Sequence, residues 1–140
     1  AFDIQGIAIE TTWELLQANK TLENVVLIKD NHSNLDSYIP QRIKACMFNL
    51  GYLPGGDHSI KTDKVNTLKA LEKATKMLDN NGVITIVFYP GHSGGQEELN
   101  SMMVYLSELS QKEFEVSHVE FINQVNDPPQ ITIVQKVTGR

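Results

Sequence analysis

Polar side chains close four apolar segments of the chain, and their types suit the binding of a nucleotide and an amine. Asp3 comes after an apolar stub, Asp30 and His32 follow a second apolar run, and Asn49 and Tyr89 end a third and a fourth. Carboxylates and amide oxygens accept hydrogen bonds from hydroxyls and amines. Ligands of open α/β sheets bind beyond the carboxyl ends of the strands, so we expect these side chains to line one pocket.

Asp3 is placed for a nucleotide site. An acidic residue at the tip of a strand in a nucleotide-binding α/β unit accepts hydrogen bonds from ribose hydroxyls. An aspartate at the end of a strand caps a helix at least as often. Its residue type therefore leaves both roles open.

The stretch "FNLGYLPGGD", residues 48 to 57, places Asn49 three residues before an aromatic ring, that of Tyr52. Directly after a buried strand, this spacing can direct a side-chain carbonyl and a backbone carbonyl at the hydrogens of an amine, while the ring stacks on a planar group. A glycine turn capped by the asparagine explains the same spacing. Both interpretations stay open at this point.

A second glycine-rich stretch, "YPGHSGGQEE", covers residues 89 to 98. Its backbone N–H groups could bind an anion, and His92 could act as an acid or base near neutral pH. A surface turn explains His92 equally well.

Several common chemistries have no motif in the chain. The sequence has no G-x-S-x-G, P-loop or C-x-x-C, which removes the usual hydrolase, NTPase and thiol-redox interpretations. The remaining histidines are scattered and there is one cysteine, so we expect no metal site. That cysteine, Cys46, lies in the apolar segment "IKACMF" and is expected to be a buried core thiol.

Alternating elements must position these groups. Apolar runs at 25–29 and 43–50 predict strands buried on both faces, and "VITIVFY" at 83–89 predicts a third strand. Thr62 is the expected N-cap of a helix that "DNNG" at 79–82 ends. The pattern predicts an α/β fold with a largely parallel sheet covered on both faces and a terminal antiparallel hairpin. The other predicted elements are helices at 7–18 and 99–109 and strands at 114–123 and 130–137.

Composition limits the size and class of the protein. The chain has 140 residues, 41% of them hydrophobic and 21% charged, which fits one globular domain. No run approaches the roughly 18 apolar residues of a membrane helix, so we expect no membrane partner and a cytoplasmic location. The net charge of −5 argues against a general nucleic-acid binder. Lysines gathered between 61 and 76 could still form a local basic patch, or simply a solvated helix face.

Three stretches, "FDIQ", "FNLGYLPGGDHSIKT" and "YPGHSGGQEE", occur in this order and carry a family resemblance. Together they resemble the small S-adenosylmethionine-dependent methyltransferases of the rRNA methylase type. That family is associated with methylating the aminomethyl group of 5-aminomethyl-2-thiouridine at the tRNA wobble position. The resemblance covers essentially the whole chain and implies a Rossmann-like class I methyltransferase sheet.

The resemblance implies a cofactor site for S-adenosylmethionine. Asp3 and Gln5 would hold its ribose, while Asp30 and His32 would lie near its adenine. Asn49 and Leu50 would also border the cofactor.

On the substrate side, the resemblance implies that Asn49 and the Leu50 carbonyl orient the accepting amine and that Tyr52 packs on the base. Leu50 and Gly51 replace the two prolines of the Asn-Pro-Pro-Tyr loop of amino-group methyltransferases. Asp57 or His92 would take the proton of the amine. The groups expected to line the substrate are Asp57, Tyr89, His92, Gly94 and Gly95.

The resemblance also implies a partner and a larger domain. The partner would be the anticodon region of tRNA, and the protein would be a homodimer. In the family, a first strand and a glycine-rich loop precede "FDIQ", so we expect residues 1–140 to be an N-terminally truncated single methyltransferase domain. Methylation of rRNA or a small amine by the same fold, and an inactive nucleotide-binding module, are the alternatives.

Overall fold

The structure is a computed structural model, and it describes residues 1–50, 63–91 and 94–137. Within these ranges, strands and helices alternate, as predicted. The helices are α1 Gly6–Ala18, α2 Leu35–Tyr38, α3 Lys64–Met77 and α4 Gly95–Ser107, with short 3-10 helices at Leu22–Asn24 and His32–Asn34. The strands are β1 Phe2–Asp3, β2 Ile28–Lys29, β3 Ile43–Asn49, β4 Leu78–Phe88, β5 Phe114–Val119 and β6 Gln130–Lys136.

The described strands form two sheets. Strands β1 and β2 pair in parallel as a two-stranded sheet, and the other four strands have the order β3-β4-β6-β5. Strand β3 is parallel to β4, whereas β6 is antiparallel to both β4 and β5. The α/β class and the antiparallel hairpin are confirmed, and the second arm of the hairpin lies inside the sheet, between β4 and β5.

The main core lies between the four-stranded sheet and helices α3 and α4. Alternate residues of β4, among them Ile84, Ile86 and Phe88, are at most 1% exposed and pack in one cluster with Leu71 and Met102. Side chains alternate between the faces of a strand, so this period places one face of β4 entirely in the core. The helix predicted at 99–109 is confirmed as α4, in which Leu99, Met102 and Leu106 are buried.

The prediction that the first two strands are buried on both faces is wrong. Val26 is 72% exposed and lies outside β2, which is limited to Ile28–Lys29. In β3, Phe48 faces the core, but its neighbour Met47 points the other way and is 85% exposed. An apolar run records only a preference for burial, whereas burial itself requires a layer of structure on each face.

Helix α3 begins one residue later than its predicted cap implies. Its N-cap is Asp63, whose side chain accepts a hydrogen bond from the Val65 N–H at 3.3 Å, so the prediction of Thr62 is wrong. Threonine and aspartate are both good N-caps, and adjacent candidates cannot be separated by residue type.

The segment "DNNG" lies within β4 and not in a loop between α3 and β4. Ile43 and Ala45 of β3 are two residues apart, but their partners on β4, Leu78 and Val83, are five residues apart. The segment 79–82 therefore forms an irregularity in the strand, with Asn81 at a φ of 59°. The predicted end of the helix is confirmed, since α3 ends at Met77, but the turn residues did not show that the strand begins before them.

The thiol of Cys46 is half-buried on β3. Burial disfavours the thiolate and raises the pKa of Cys46 to about 11. The side chain therefore behaves as a small apolar group that packs against the core.

Candidate active site

Two side chains meet where β3 and β4 end. Asn49 is the last residue of β3 and pairs with Val87 of β4, and Tyr89 directly follows the last residue of β4. The Tyr89 hydroxyl donates a hydrogen bond to Asn49 Oδ1 at 3.0 Å, and both side chains are exposed. We call this pair the β3/β4 rim. The structure brings together two residues that are 40 positions apart in the sequence.

Leu50 anchors the backbone beside Asn49. Its N–H donates to the Val87 carbonyl at 3.1 Å, and its side chain is 3% exposed. The chain therefore stays attached to β4 for one residue beyond β3. The pairing with β4 thus continues past Asn49 and fixes its backbone.

Gly94 and Gly95 start helix α4 against the end of β4. Gly94 is the N-cap, with a φ of 86°, a conformation that side chains disfavour. A Cβ atom on the buried Gly95 would overlap the Tyr89 carbonyl oxygen and lie 3.1 Å from Pro90 Cα. Both glycines thus have a backbone function, which the sequence reasoning did not identify when it placed them beside a substrate.

A second group of side chains lies where β1 and β2 end. We call Asp3, Asp30 and His32 the β1/β2 rim. Asp3 Oδ1 accepts a hydrogen bond from the Gln5 N–H at 2.8 Å, and Gln5 is the N-cap of α1. Among the described residues, Asp3 Oδ2 has no hydrogen-bond donor. The Oδ1 atom of Asp3 therefore shapes the turn into α1, and its Oδ2 atom is available to a ligand.

His32 connects the β1/β2 rim to the larger sheet. Its ring packs edge-on against Phe48 of β3, with 6.3 Å between the ring centroids. Burial lowers the pKa of His32 below 6.5, and the charges of Asp3 and Asp63 partly oppose that shift. Its Nε2 atom is buried and finds no hydrogen-bond partner in the described part of the chain. A buried polar atom without a partner is costly, which suits a position that faces a bound ligand.

Asp30 mainly organises its own loop. Its carboxylate accepts hydrogen bonds from the Tyr38 hydroxyl at 2.7 Å, the Asn31 N–H at 2.7 Å and the Asn34 amide at 3.2 Å. These bonds, that of Tyr38 first, lower the pKa of Asp30. The sequence reasoning missed Tyr38 and Asn34. The available signal was the "DNHSN" pattern, in which Asp30 and Asn34 are one helical turn apart.

A buried carboxylate joins the starts of α3 and α4. Glu98 is 3% exposed, and its Oε1 accepts a hydrogen bond from the Thr67 hydroxyl at 2.9 Å. Carboxylates are almost never fully buried unless they have partners. Glu98 lay within a motif that the sequence analysis quoted, but a glutamate in a first helical turn is commonly exposed and gave no sign of this bond.

Three predicted site residues, Tyr52, Asp57 and His92, lie outside the described residues. Their roles stay predictions. Among the residues that the structure does describe, no group of three or more His, Cys, Asp or Glu side chains could hold a metal ion. In the same part of the chain, no helix has the length and apolar character needed to cross a membrane.

The fold and the two rims define a Rossmann-like protein of the class I methyltransferase type. The chain belongs to the family described as "Putative rRNA methylase", whose model matches residues 1–135. The family resemblance drawn from the sequence is thereby confirmed.

A curated relative is the "tRNA (mnm(5)s(2)U34)-methyltransferase, chloroplastic" of Arabidopsis thaliana. It is 39% identical over 129 residues, which cover 89% of this chain and 47% of the relative. The chain therefore spans about half the length of this curated relative.

Solved structures agree with the fold. The Clostridium thermocellum protein described as "putative rRNA-methylase" superposes with a TM-score of 0.94 at 46% identity, over 97% of this chain and 73% of that chain. The Streptococcus mutans protein described as "a putative methyltransferase", solved with S-adenosylhomocysteine (SAH), gives a TM-score of 0.90 at 34% identity, over 98% of this chain and 74% of that chain. These matches cover nearly all of the chain, so the fold is that of the class I methyltransferases.

Proposed function

We propose that the protein is an S-adenosylmethionine-dependent N-methyltransferase. Its substrate would be the aminomethyl group of 5-aminomethyl-2-thiouridine at the tRNA wobble position. The observation that carries the proposal is the Asn49 amide, held by Tyr89 at the carboxyl end of β3. Phe48, the residue before Asn49, packs against the ring of His32 in the β1/β2 rim. Family membership and the Arabidopsis relative support the same activity.

The β1/β2 rim fits a nucleoside. Asp3 Oδ2 would accept hydrogen bonds from ribose hydroxyls, while Gln5 supports it through its N–H. The buried His32 Nε2 would meet a polar atom of the adenine. Because the Asp30 oxygens already bond to its own loop, Asp30 would shape the adenine side without supplying its main hydrogen bond. The SAH bound to the Streptococcus relative supports this cofactor.

The β3/β4 rim fits an amine that accepts a methyl group. The amine nitrogen attacks the methyl carbon of the sulfonium, the C–S bond breaks with its electron pair moving to sulfur, and the nitrogen then loses a proton. Such a displacement depends mainly on alignment. Asn49 Oδ1 and the Leu50 carbonyl would accept the amine hydrogens and thereby direct its lone pair.

An alkyl amine resembles lysine, with a pKa of roughly 10, so it arrives protonated and must lose a proton before it attacks. Burial beside an aromatic ring lowers that pKa. We assign the aromatic ring to Tyr52. Asp57 or His92 would accept the proton that the amine loses before it attacks. Tyr89, Gly94 and Gly95 would border the substrate.

Contact with tRNA would rest on local features, because the net charge is −5. Part of the lysine cluster is already used internally, since Lys73 Nζ bonds to Asp36 Oδ1 at 2.7 Å and to the Ser33 carbonyl at 2.6 Å. A homodimer would double the positive groups available to one tRNA. A steep loss of binding with salt would support phosphate contacts. A cytoplasmic location stays a prediction, since the Arabidopsis relative is described as chloroplastic.

We further propose that residues 1–140 are part of one methyltransferase domain whose sheet has an additional strand between β1 and β3. In the described part of the chain, these two strands belong to different sheets. An unpaired strand edge is unfavourable, and a strand in that position would satisfy both edges. Intact mass and SAH binding of the natural protein, compared with those of residues 1–140 alone, test this proposal.

The test of function uses the natural full-length protein, S-adenosylmethionine and tRNA from cells that lack the terminal methyl group. We expect mass spectrometry of the digested nucleosides to show conversion of 5-aminomethyl-2-thiouridine to its N-methylated form. Methylation of rRNA but not tRNA would favour the alternative named by the family description. SAH binding without methylation of either RNA or of small amines would favour an inactive nucleotide-binding module.

A further inference from the structure

We propose that Tyr89 is a positioning residue that acts through Asn49. Its hydroxyl would hold the Asn49 amide in the one orientation that presents Oδ1 to the accepting amine. This inference rests on the proposed function, because it assigns the amine to Asn49. It differs from the role expected for Tyr89 from the sequence, which was direct contact with the substrate.

The asparagine amide needs such a partner. Its terminal torsion has a broad, roughly two-fold preference, so rotation by half a turn exchanges oxygen and nitrogen at little cost. Only the oxygen accepts a hydrogen from the amine, since the NH₂ group offers two donors. A flipped amide would place donor against donor and turn the lone pair of the amine away from the methyl group. An unrestrained Asn49 would therefore spend part of its time in an unproductive state.

The bond from Tyr89 selects the productive state. Its O–H donates to Asn49 Oδ1 at 3.0 Å, which uses one lone pair of that oxygen and leaves the second for the amine. In the flipped state, the phenol oxygen would have to accept from the amide NH₂. Phenol is a weaker acceptor than donor, because its ring withdraws electron density from the oxygen. The present arrangement is thus favoured before any substrate binds.

The backbone of Tyr89 is itself held firmly, which allows its side chain to act as a fixed reference. Phe88, the residue before it, is 1% exposed and pairs with Gln130 of β6. On the other side, the start of α4 packs so closely that only glycine fits at position 95. Groups held by rigid elements lose less entropy when they align a substrate.

Four variants of the full-length enzyme test the inference: Tyr89→Phe, Asn49→Ala, the double variant, and Tyr105→Phe as a matched control. The Tyr105→Phe change also removes a hydrogen bond of a tyrosine hydroxyl, that to Thr75 Oγ1 at 2.6 Å. This bond joins α3 to α4 away from both rims. We expect Tyr89→Phe to lower kcat about tenfold, in line with loss of one hydrogen bond. Its KM for tRNA and its Kd for SAH should stay within twofold of the wild type, and Tyr105→Phe should leave kcat within twofold.

The double variant separates action through Asn49 from direct action on the substrate. We expect Tyr89→Phe to change kcat by less than twofold when Asn49 is already alanine, because there is then no amide to orient. Fully independent effects of the two changes would overturn the inference, and so would a Tyr89→Phe effect confined to KM.

A structural readout keeps the inference separate from the function. In NMR spectra, the side-chain NH₂ signals of Asn49 should shift and broaden in Tyr89→Phe and stay unchanged in Tyr105→Phe. A wild-type protein that methylates no RNA or amine would refute the proposed function, while these signals would still report whether Tyr89 holds the amide. Unchanged Asn49 signals in Tyr89→Phe would overturn the inference whatever the activity.

Discussion

The two rims are built in different ways. The β3/β4 rim stands on a continuous four-stranded sheet, and its two side chains bond to each other across neighbouring strands. The β1/β2 rim stands on strands of two residues each, and Asp3 and Asp30 bond within their own loops. A bond between strands fixes the relative position of two groups, whereas a bond within a loop fixes only the shape of that loop. On the β3/β4 rim, the protein itself thus fixes how the two side chains are oriented. The β1/β2 rim keeps hydrogen-bonding atoms that no described residue uses, and these are available to a ligand.

The largest expected effect separates the two rims by kinetics. Asn49→Ala should lower kcat for methyl transfer about 100-fold, the scale of a misaligned reactant, and change the Kd for SAH much less than Asp3→Ala does. Asp3→Ala should instead weaken SAH binding about ten- to a hundredfold, because it loses charged hydrogen bonds to the ribose. Single-turnover rates and calorimetric titration measure the two quantities. If both variants changed the same quantity by similar factors, the division of labour between the rims would be wrong.

The next effect concerns stability. Gly95→Ala should lower the free energy of unfolding by about 2–3 kcal/mol, because its methyl group would overlap backbone atoms of Tyr89. Gly6→Ala is the matched control at the start of α1, where the methyl group would meet only the flexible end of the Lys29 side chain, 3.2 Å from Nζ. We expect that control to stay within about 0.5 kcal/mol of the wild type. Equal urea midpoints for the two variants would show that the β3/β4 rim tolerates movement of α4.

A smaller effect appears in the pH dependence of the β1/β2 rim. The folded-state pKa of His32 is lowered mainly by burial, so its stabilising neutral form is fully present above pH 6.5. That contribution is lost as pH falls from 6.5 through the folded-state pKa. Asp3→Asn removes a charge that raises the pKa of His32, so the His32 ring should titrate at lower pH in this variant than in the wild type.

NMR titration of the His32 ring signals in the wild type and in Asp3→Asn measures that shift. A wild-type His32 that titrates at 6.5 or above would contradict the burial of its ring. An unchanged titration in Asp3→Asn would mean that Asp3 and His32 do not face each other.

The smallest effect is expected at Asp30. Tyr38→Phe removes the bond that contributes most to the lowered pKa of Asp30, so the pKa of this carboxyl should rise toward its ordinary value of 3.8. The carboxylate form is stabilising above pH 3.8, and its contribution is lost as pH falls through the folded-state pKa. Because Asp30 is exposed to solvent, the change in stability should be slight. Carboxyl carbon NMR measures the shift, and an Asp30 pKa that does not move would show that the Tyr38 bond is not formed in solution.

Much of the fold followed from local patterns. The 3.6-residue period of α3 and α4 and the apolar runs of β3 and β4 could be read directly, since each pattern reflects the face that a single element buries. The general rule for parallel strands gave the expectation that Asp3, His32, Asn49 and Tyr89 follow strand ends, and the structure has each of them at or just after the end of a strand. Roles for Asn49 and Tyr89 came from residue chemistry and family resemblance, and stay proposals.

Other features could not be read from the chain. The irregular pairing of β3 with β4, in which five residues of β4 lie opposite two of β3, depends on contacts between distant segments. The Thr67 bond to Glu98 and the Tyr38 bond to Asp30 join residues whose types are common on surfaces. The exposure of Met47 depends on which layers cover the sheet, and its own apolar character gave the opposite expectation.

The sequence by itself determined which segments become strands and helices and which chemical groups end the strands, because backbone preference and side-chain period are local properties. Only the tertiary structure decided that β6 enters the sheet between β4 and β5, that Gly95 lets α4 start against Tyr89, and that the Tyr89 hydroxyl meets Asn49. These contacts join groups far apart in the chain, so their geometry exists only once the entropy of bringing the segments together has been overcome by packing of the shared core.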